Sequence, residues 1–248
     1  MKKRMILSLA LLAAMLCGQT MQAQEQEEDK LIFNHLGVGV EAGTAGFGLE
    51  VAAPLTKYLI VRTGFTSMPT IAPKFDVDYK YNNLDYTTKV KGKLHMTDWK
   101  LLVDYFPFRK SSFHVTTGFF VGKSKLVTAQ NISPLEDIEE GEGIEVGDYL
   151  IEPVNGIVRA QVKVASFKPY LGVGLGRALP KNRLSFNFDM GVQFWGTPLA
   201  QLYSPEKGAF TKVVADDFND KDVKDGLKTL NKVTVWPTLS FKLAYRIF

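Results

Sequence analysis

The sequence predicts an all-β fold: an eight-stranded antiparallel up-and-down transmembrane β-barrel with extended extracellular loops and one short loop helix. Three observations predict it. The chain opens on an export signal. Eight later segments alternate apolar and polar residues with a period of two. The polar register of those segments holds both the charges and the glycines.

The signal consists of Lys2, Lys3 and Arg4, an apolar run from Met5 to Leu16, and a polar stretch ending in Met21-Gln22-Ala23. A basic start, an apolar middle and a small residue at the cut form a secretory signal. The run of 12 residues is too short for a spanning helix, which needs about 20. Cleavage is expected after Ala23, giving a signal peptide at 1–23 and a barrel domain at 24–248. Cys17 is the sole cysteine. It follows bulky Leu16 where lipoprotein processing wants a small side chain, so it is expected to leave with the signal. No disulfide then holds the exported chain. Removing the signal's three basic residues from 30 leaves 27 against 26 acids, a balance that argues against nucleic acid as a partner.

A strand turns alternate side chains to opposite faces. Leu36–Ala42 gathers Leu36, Val38 and Val40 on one face; Phe47–Ala53 gathers Phe47, Leu49 and Val51. Leu59–Phe65 contributes Leu59, Val61 and Phe65, and Trp99–Pro107 contributes Trp99, Leu101, Val103 and Tyr105. Phe113–Val121 supplies Phe113, Val115, Phe119 and Val121; Phe167–Leu175 supplies Phe167, Leu171 and Val173. The clearest segment is Leu184–Trp195, where Leu184, Phe186, Phe188, Met190, Val192 and Phe194 oppose Ser185, Asn187, Asp189, Gly191 and Gln193. The last, Val235–Ile247, alternates to Tyr245 and Ile247 in the same way. Eight is an even number, as bacterial barrels of this kind require.

The opposite register separates a membrane barrel from a soluble one with its apolar face inward. It carries Glu41, Glu50, Arg62, Lys100, Asp104, His114, Lys168, Asp189, Lys242 and Arg246, and glycines such as Gly39, Gly64, Gly172 and Gly174. None of the segments has glycine in its apolar register. Glycine on the solvent face of a soluble strand weakens it for no gain. In a narrow bore it makes room for long charged side chains. Those ten residues are therefore expected to form a structural charge network in the lumen.

Connection lengths orient the barrel. Pro54–Tyr58, Phe108–Ser112 and Gly176–Arg183 are short, whereas Met68–Asp98, Gly122–Ser166 and Gly196–Lys232 are long, with Gly43–Gly46 the short member of that set. Long connections normally lie outside the cell. Trp99, Trp195 and Trp236 then fall at the outer rim, with only Trp99 in the lipid-facing register. Phe33, Tyr58, Tyr105, Phe113 and Tyr245 mark the periplasmic rim. Among the loops, Asp76–Tyr81 and Tyr86–Leu94 read as strands extending above the membrane. The stretch from Pro134 to Pro153 holds eight acids and no base; it reads as a solvated loop rather than a calcium or lipopolysaccharide bridge. Thr211–Leu230 reads as a short surface helix, supported by the i,i+4 pairs Asp217–Lys221 and Asp220–Lys224.

The constellations that could carry chemistry are weak. Asp104 and His114 point inward on neighbouring strands, directly opposite if the turn centres on Arg109 and diagonal if it centres on Lys110. An Asp–His pair can act as a general base, but a filled bore admits no substrate, so charge pairing is the expected role. His35 and His95 supply no metal-ligand spacing. Gly37–Gly43 and Gly172–Gly176 contain Gly-x-Gly without a following helix, so no phosphate cradle is implied. No catalytic residue, cofactor site or metal site is expected.

The stretch Phe167-Lys168-Pro169-Tyr170-Leu171-Gly172-Val173-Gly174, with Phe186-Asn187-Phe188-Asp189, Gln193-Phe194-Trp195-Gly196 and the ending Trp236-Pro237-Thr238-Leu239-Ser240-Phe241 to Tyr245-Arg246-Ile247-Phe248, resembles the small outer-membrane β-barrel proteins of Bacteroides-type bacteria, of OmpA-like eight-stranded design. The resemblance implies fold and location and no catalytic residues. The terminal Phe248 is similar to the signal read by the barrel-assembly machinery, although it falls in the register of Lys242 and Arg246. The expected location is the bacterial outer membrane, with its lipid and lipopolysaccharide as partners. The expected role is non-enzymatic, structural or loop-mediated binding or adhesion to an unidentified extracellular partner. The alternatives are a narrow pore for small or amphipathic solutes and an outer-membrane hydrolase.

Overall fold

The computed structural model describes residues 35–82, 84–108, 110–135, 138, 142–146, 149–215 and 221–247. The expected signal, Phe33 and Phe248 lie outside them. In chain order the described strands begin with β1 (Gly37–Gly43), β2 (Gly46–Pro54), β3 (Leu59–Ser67), β4 (Lys74–Tyr81), β5 (Leu84–Leu94), β6 (Thr97–Tyr105), β7 (Phe113–Gly122) and β8 (Lys125–Asn131). They continue with β9 (Ile144–Val146), β10 (Tyr149–Ile151), β11 (Arg159–Lys163), β12 (Phe167–Leu175), β13 (Leu184–Phe194), β14 (Leu199–Ser204), β15 (Ala209–Lys212) and β16 (Val235–Arg246). Among the described residues one helix, α1 (Lys221–Lys232), precedes β16.

Eight strands close a barrel in the order β1-β16-β13-β12-β7-β6-β3-β2. All eight expected segments are barrel strands, with ends displaced by at most two residues. Closure joins the two ends of the chain: Val38 faces Tyr245 and Glu41 faces Lys242 across the β1–β16 seam. The expected apolar register points outward. Phe186 is 77% exposed, Leu49 67% and Phe241 66%. A belt of this extent would be an association surface in water and suits hydrocarbon, where closed barrels leave no unpaired edge.

The second sheet is legible in the sequence only in part. Its order is β10-β9-β4-β5-β8-β11-β14-β15. The core of that order, β5-β8-β11-β14, repeats the barrel order β6-β7-β12-β13, because each of the four barrel strands continues past a short break into the second sheet. One side of the wall is thus prolonged beyond the apolar belt. β3 also runs on, beside β6 and β5, through the Ile71–Leu94 bridge into β4, whereas β1, β2 and β16 stop at the rim, where Thr44 and Ala45 turn β1 into β2 and Gly46 takes φ +97°, a conformation that glycine adopts freely. The expected hairpin is β4–β5, turning at Asn82 with φ +52°.

Two expectations for the loops need correction. The acidic stretch is not simply a solvated loop: it contributes β9 and β10, and Ile144 and Ile151 are buried with Tyr79 and Leu135. Apolar residues spaced among the acids allow it to pair along β4. Among the described residues the helix spans Lys221–Lys232, and the expected helical start is instead drawn into the sheet as β15 (Ala209–Lys212). Asp217 and Asp220 lie outside the described residues.

The two sheets expose opposite kinds of face. In β6 the inward residues are Asp98, Lys100, Leu102 and Asp104, and the outward ones Thr97, Trp99, Leu101, Val103 and Tyr105. In β5, Val90 turns with its partner Phe75 toward an apolar cavity of about 200 Å³. Alternation then places Lys89, Lys91 and Lys93 on the other side.

Candidate functional site

The bore is the place where the sequence concentrates unusual chemistry, and the structure fills it. Asp104, His114, Lys168, Lys100 and Arg62 are each at most 1% exposed, and Glu41, Glu50, Asp189 and Lys242 are buried beside them. Strand parity brings these side chains inward, and the closure order decides who meets whom. Arg62 on β3 is the hub. Its Nη2 donates to Asp104 Oδ1 at 2.7 Å and its Nη1 to Asp189 Oδ2 at 2.9 Å, with Glu50 Oε2 3.6 Å from Nη1. Lys100 Nζ donates to Glu41 Oε1 at 2.6 Å and Glu50 Oε2 at 2.7 Å. Lys242 pairs with Asp189 and lies 3.5 Å from Glu50 and 3.8 Å from Glu41. Desolvating a charge costs several kcal/mol, so such residues persist only where partners surround them.

Asp104 and His114 do not bond to each other. Asp104 faces Thr116 across β6–β7, so the turn centres on Lys110 and His114 is the diagonal neighbour. Thr116 Oγ1 donates to Asp104 Oδ1 at 2.7 Å. His114 reaches across the bore instead: its Nε2 lies 2.9 Å from Asp189 Oδ1, and its Nδ1 3.2 Å from the Ser112 carbonyl. Both ring nitrogens are occupied, and the Phe106 ring, 5.0 Å away, covers the turn side. A general base needs hydrogen-bond reach to a substrate proton, and this imidazole has no open approach. His35 and His95 stand apart from it, and no described group of three His, Cys, Asp or Glu residues could hold a metal ion.

Two residues differ from the expected network. Arg246 is not in it: it sits at the rim, where its Nη1 donates to the Lys181 carbonyl at 2.8 Å. β16 tapers out of the bore there, and the arginine finds the 176–183 turn rather than a buried acid. Asp98 is a member that the expected set lacks. It receives Lys168 Nζ at 2.7 and 2.9 Å, both residues being fully buried. The signal is present in the sequence, since Asp98 continues the register of Lys100 and Asp104 by one step before Trp99.

Apolar plugs close both mouths. At the turn end Ala52, Ile60, Phe106 and Ala178 pack together with Leu179. At the loop end Ala45, Met68, Met96, Val164 and Trp195 pack together, with Trp236 against them. Trp195 and Trp236 stack at 4.8 Å and 9°, so these two indoles face inward and Trp99 alone faces lipid. Between plug and network, Leu102, Phe120 and Tyr170 form a third apolar layer. Gly172 permits it: a Cβ there would come within 2.5 Å of the Tyr170 hydroxyl. A cavity among Glu41, Thr66, Lys100, Tyr170 and Lys242 measures about 20 Å³, room for about one water.

No protein-family model matches the chain, and no curated protein matches its sequence. Among solved structures it is similar to CarO of Acinetobacter baumannii, at 16% identity and a TM-score of 0.50, over 84% of this chain and 96% of that one. It is also matched to CarO2 of the same organism (15% identity, TM-score 0.46, 87% and 99% covered). A third match is a major outer membrane protein of Thermus thermophilus (17%, 0.33, 86% and 98%). The CarO likeness, at that identity, speaks to the barrel fold.

Proposed function

We propose that this chain is a non-enzymatic integral protein of a bacterial outer membrane, in which the barrel is a sealed anchor and the second sheet, held outside the cell, is the binding surface. The observation that carries the reading is the bore: a hub of paired charges capped by an apolar plug at each mouth. A conducting path needs a wetted channel, and eight-stranded barrels have a bore just wide enough for their own side chains. This weighs against the narrow pore. The buried histidine weighs against the hydrolase. The prolonged side of the wall gives the loops a rigid frame, which suits binding or adhesion better than a purely structural role. Lipid and lipopolysaccharide surround the barrel in this reading, the β16 end of the chain is what the barrel-assembly machinery engages, and the Bacteroides-type resemblance fits the same placement.

Planar-bilayer recording of the full protein is expected to show no discrete current steps; regular steps in every insertion would overturn the sealed-anchor reading. The sidedness is tested by thiol labelling, since beyond Cys17 the sequence has no cysteine. A membrane-impermeant maleimide on intact cells should label Lys207→Cys, in the β14–β15 turn, and spare Lys181→Cys. The reverse pattern would invert the orientation.

A further inference from the structure

Resting on the reading of the second sheet as extracellular, we infer that the outward face of that sheet, just above the membrane, binds the phosphates of a lipopolysaccharide-type glycolipid in the outer leaflet. The first observation is register. Cross-strand partners share a face, and Phe75 and Val90 turn together toward the apolar cavity. Lys74 and Lys91, the next pair, therefore face outward directly opposite each other. Two strands on, Lys163 lies three residues along β11 from cavity-lining Ala160 and so faces outward, and the bulge at Val162/Lys163 brings Lys125 opposite it on the same face. Like charges in facing positions destabilise a sheet. Lys93 and Lys123 continue the same register toward the membrane, and none of the six lysines forms an ion pair with another described residue.

The second observation is where compensation begins. One step farther from the membrane, Lys89 faces Asp76, and at the tip Lys80 lies 3.8 Å from Asp85. The uncompensated charge is thus confined to the rows nearest the membrane. Lys125 is four residues beyond lipid-facing Val121, and Lys163 four before Phe167. At about 3.3 Å per residue and a tilt of about 40°, that places both roughly 10 Å above the hydrocarbon edge, the depth of headgroups. Directly below, Trp99, Phe119 and Phe167 form an aromatic cluster with centroids 5.9 and 5.1 Å apart, the expected boundary girdle. A ligand that relieves paired ammonium groups at this depth is an anionic headgroup, and lysines as point charges suit phosphate monoesters.

The test is a calorimetric titration of the full protein, purified in zwitterionic detergent, with lipopolysaccharide, with the same glycolipid after phosphatase treatment, and with inorganic phosphate. Phosphorylated glycolipid is expected to bind at least tenfold tighter than either other probe. At about fivefold per lysine near an anionic surface, the triple variant Lys93→Gln, Lys125→Gln, Lys163→Gln should lose about 100-fold. Lys80→Gln, Lys89→Gln, Lys207→Gln, which removes equal charge from the distal rows, should stay within threefold of the parent. Retained barrel migration on unheated gels checks that both variants are folded. Equal binding of phosphorylated and dephosphorylated glycolipid, equal loss in the two variants, or inorganic phosphate binding as tightly as the glycolipid would each overturn the inference. Because this measurement is independent of cellular sidedness, it can fail while the maleimide pattern stands, and the reverse.

Discussion

The stretch from Lys89 to Tyr105 crosses from one solvent to another without losing its period. Beyond the rim its outward residues are Lys89, Lys91 and Lys93; within the barrel they are Trp99, Leu101, Val103 and Tyr105. The inward set changes in the opposite sense, from Val90, Leu94 and Met96 to Asp98, Lys100 and Asp104. The backbone dictates alternation in both regions, and the medium dictates which register is apolar. Lipid outside demands apolar outward residues and leaves the polar ones to satisfy each other in the bore. Water outside reverses the assignment, and the apolar residues pack behind the sheet. The row between Met96 and Asp98 is therefore the water–hydrocarbon boundary written into the chain.

The largest effect is expected at the inward polar residues of the barrel. Arg62→Met removes the hub and leaves Asp104, Asp189 and Glu50 without their shared cation. A buried pair broken from one side costs about 3–5 kcal/mol, so the melting temperature of the folded barrel should fall sharply. An unchanged melting temperature would mean that the network does not stabilise the lumen. The outward faces of the two regions should differ in what an introduced lysine costs. Phe188→Lys puts an ammonium at mid-strand on the lipid side, beside Phe241 at 5.0 Å, and should cost about 2–4 kcal/mol in denaturant unfolding from bilayers. Thr87→Lys, outward in β5 and opposite Asp78, should stay within about 0.5 kcal/mol. Equal costs would mean that the two outward faces meet the same solvent.

Legibility in the sequence follows the same division. Lipid tolerates no mixed face, so each barrel strand displays its apolar register in full, and the pattern bounds β12 and β13 to within a residue. Water tolerates mixtures. β8 (Lys125–Asn131) mixes polar and apolar residues in both registers, and β11 (Arg159–Lys163) alternates over five residues only and carries a bulge at Val162/Lys163, so period two barely emerges from them. The hairpin β4–β5 stands out because it is long and turns at Asn82. Within the bore, parity is enough to place Lys100, Asp104 and Asp189 inside. It cannot assign partners: Arg62 meets Asp189 across 127 residues of sequence, a contact decided by barrel closure. Parity places Lys168 inward, while its partner Asp98 escapes the pattern because the conspicuous Trp99 marks the start of the apolar register.

The disposition of the three tryptophans gives the molecule its own optical report. Trp99 emits from the acyl-chain boundary, whereas Trp195 and Trp236 are stacked in the loop-end plug. Parallel indoles this close couple their excited states, so the plug should add an exciton couplet to the ultraviolet circular dichroism that neither ring gives alone. Brominated lipids should quench the single boundary indole and leave the pair untouched. Closure of the loop-end mouth can thus be timed separately from insertion, in the unlabelled protein, by watching the couplet appear after the lipid-quenched emission has settled.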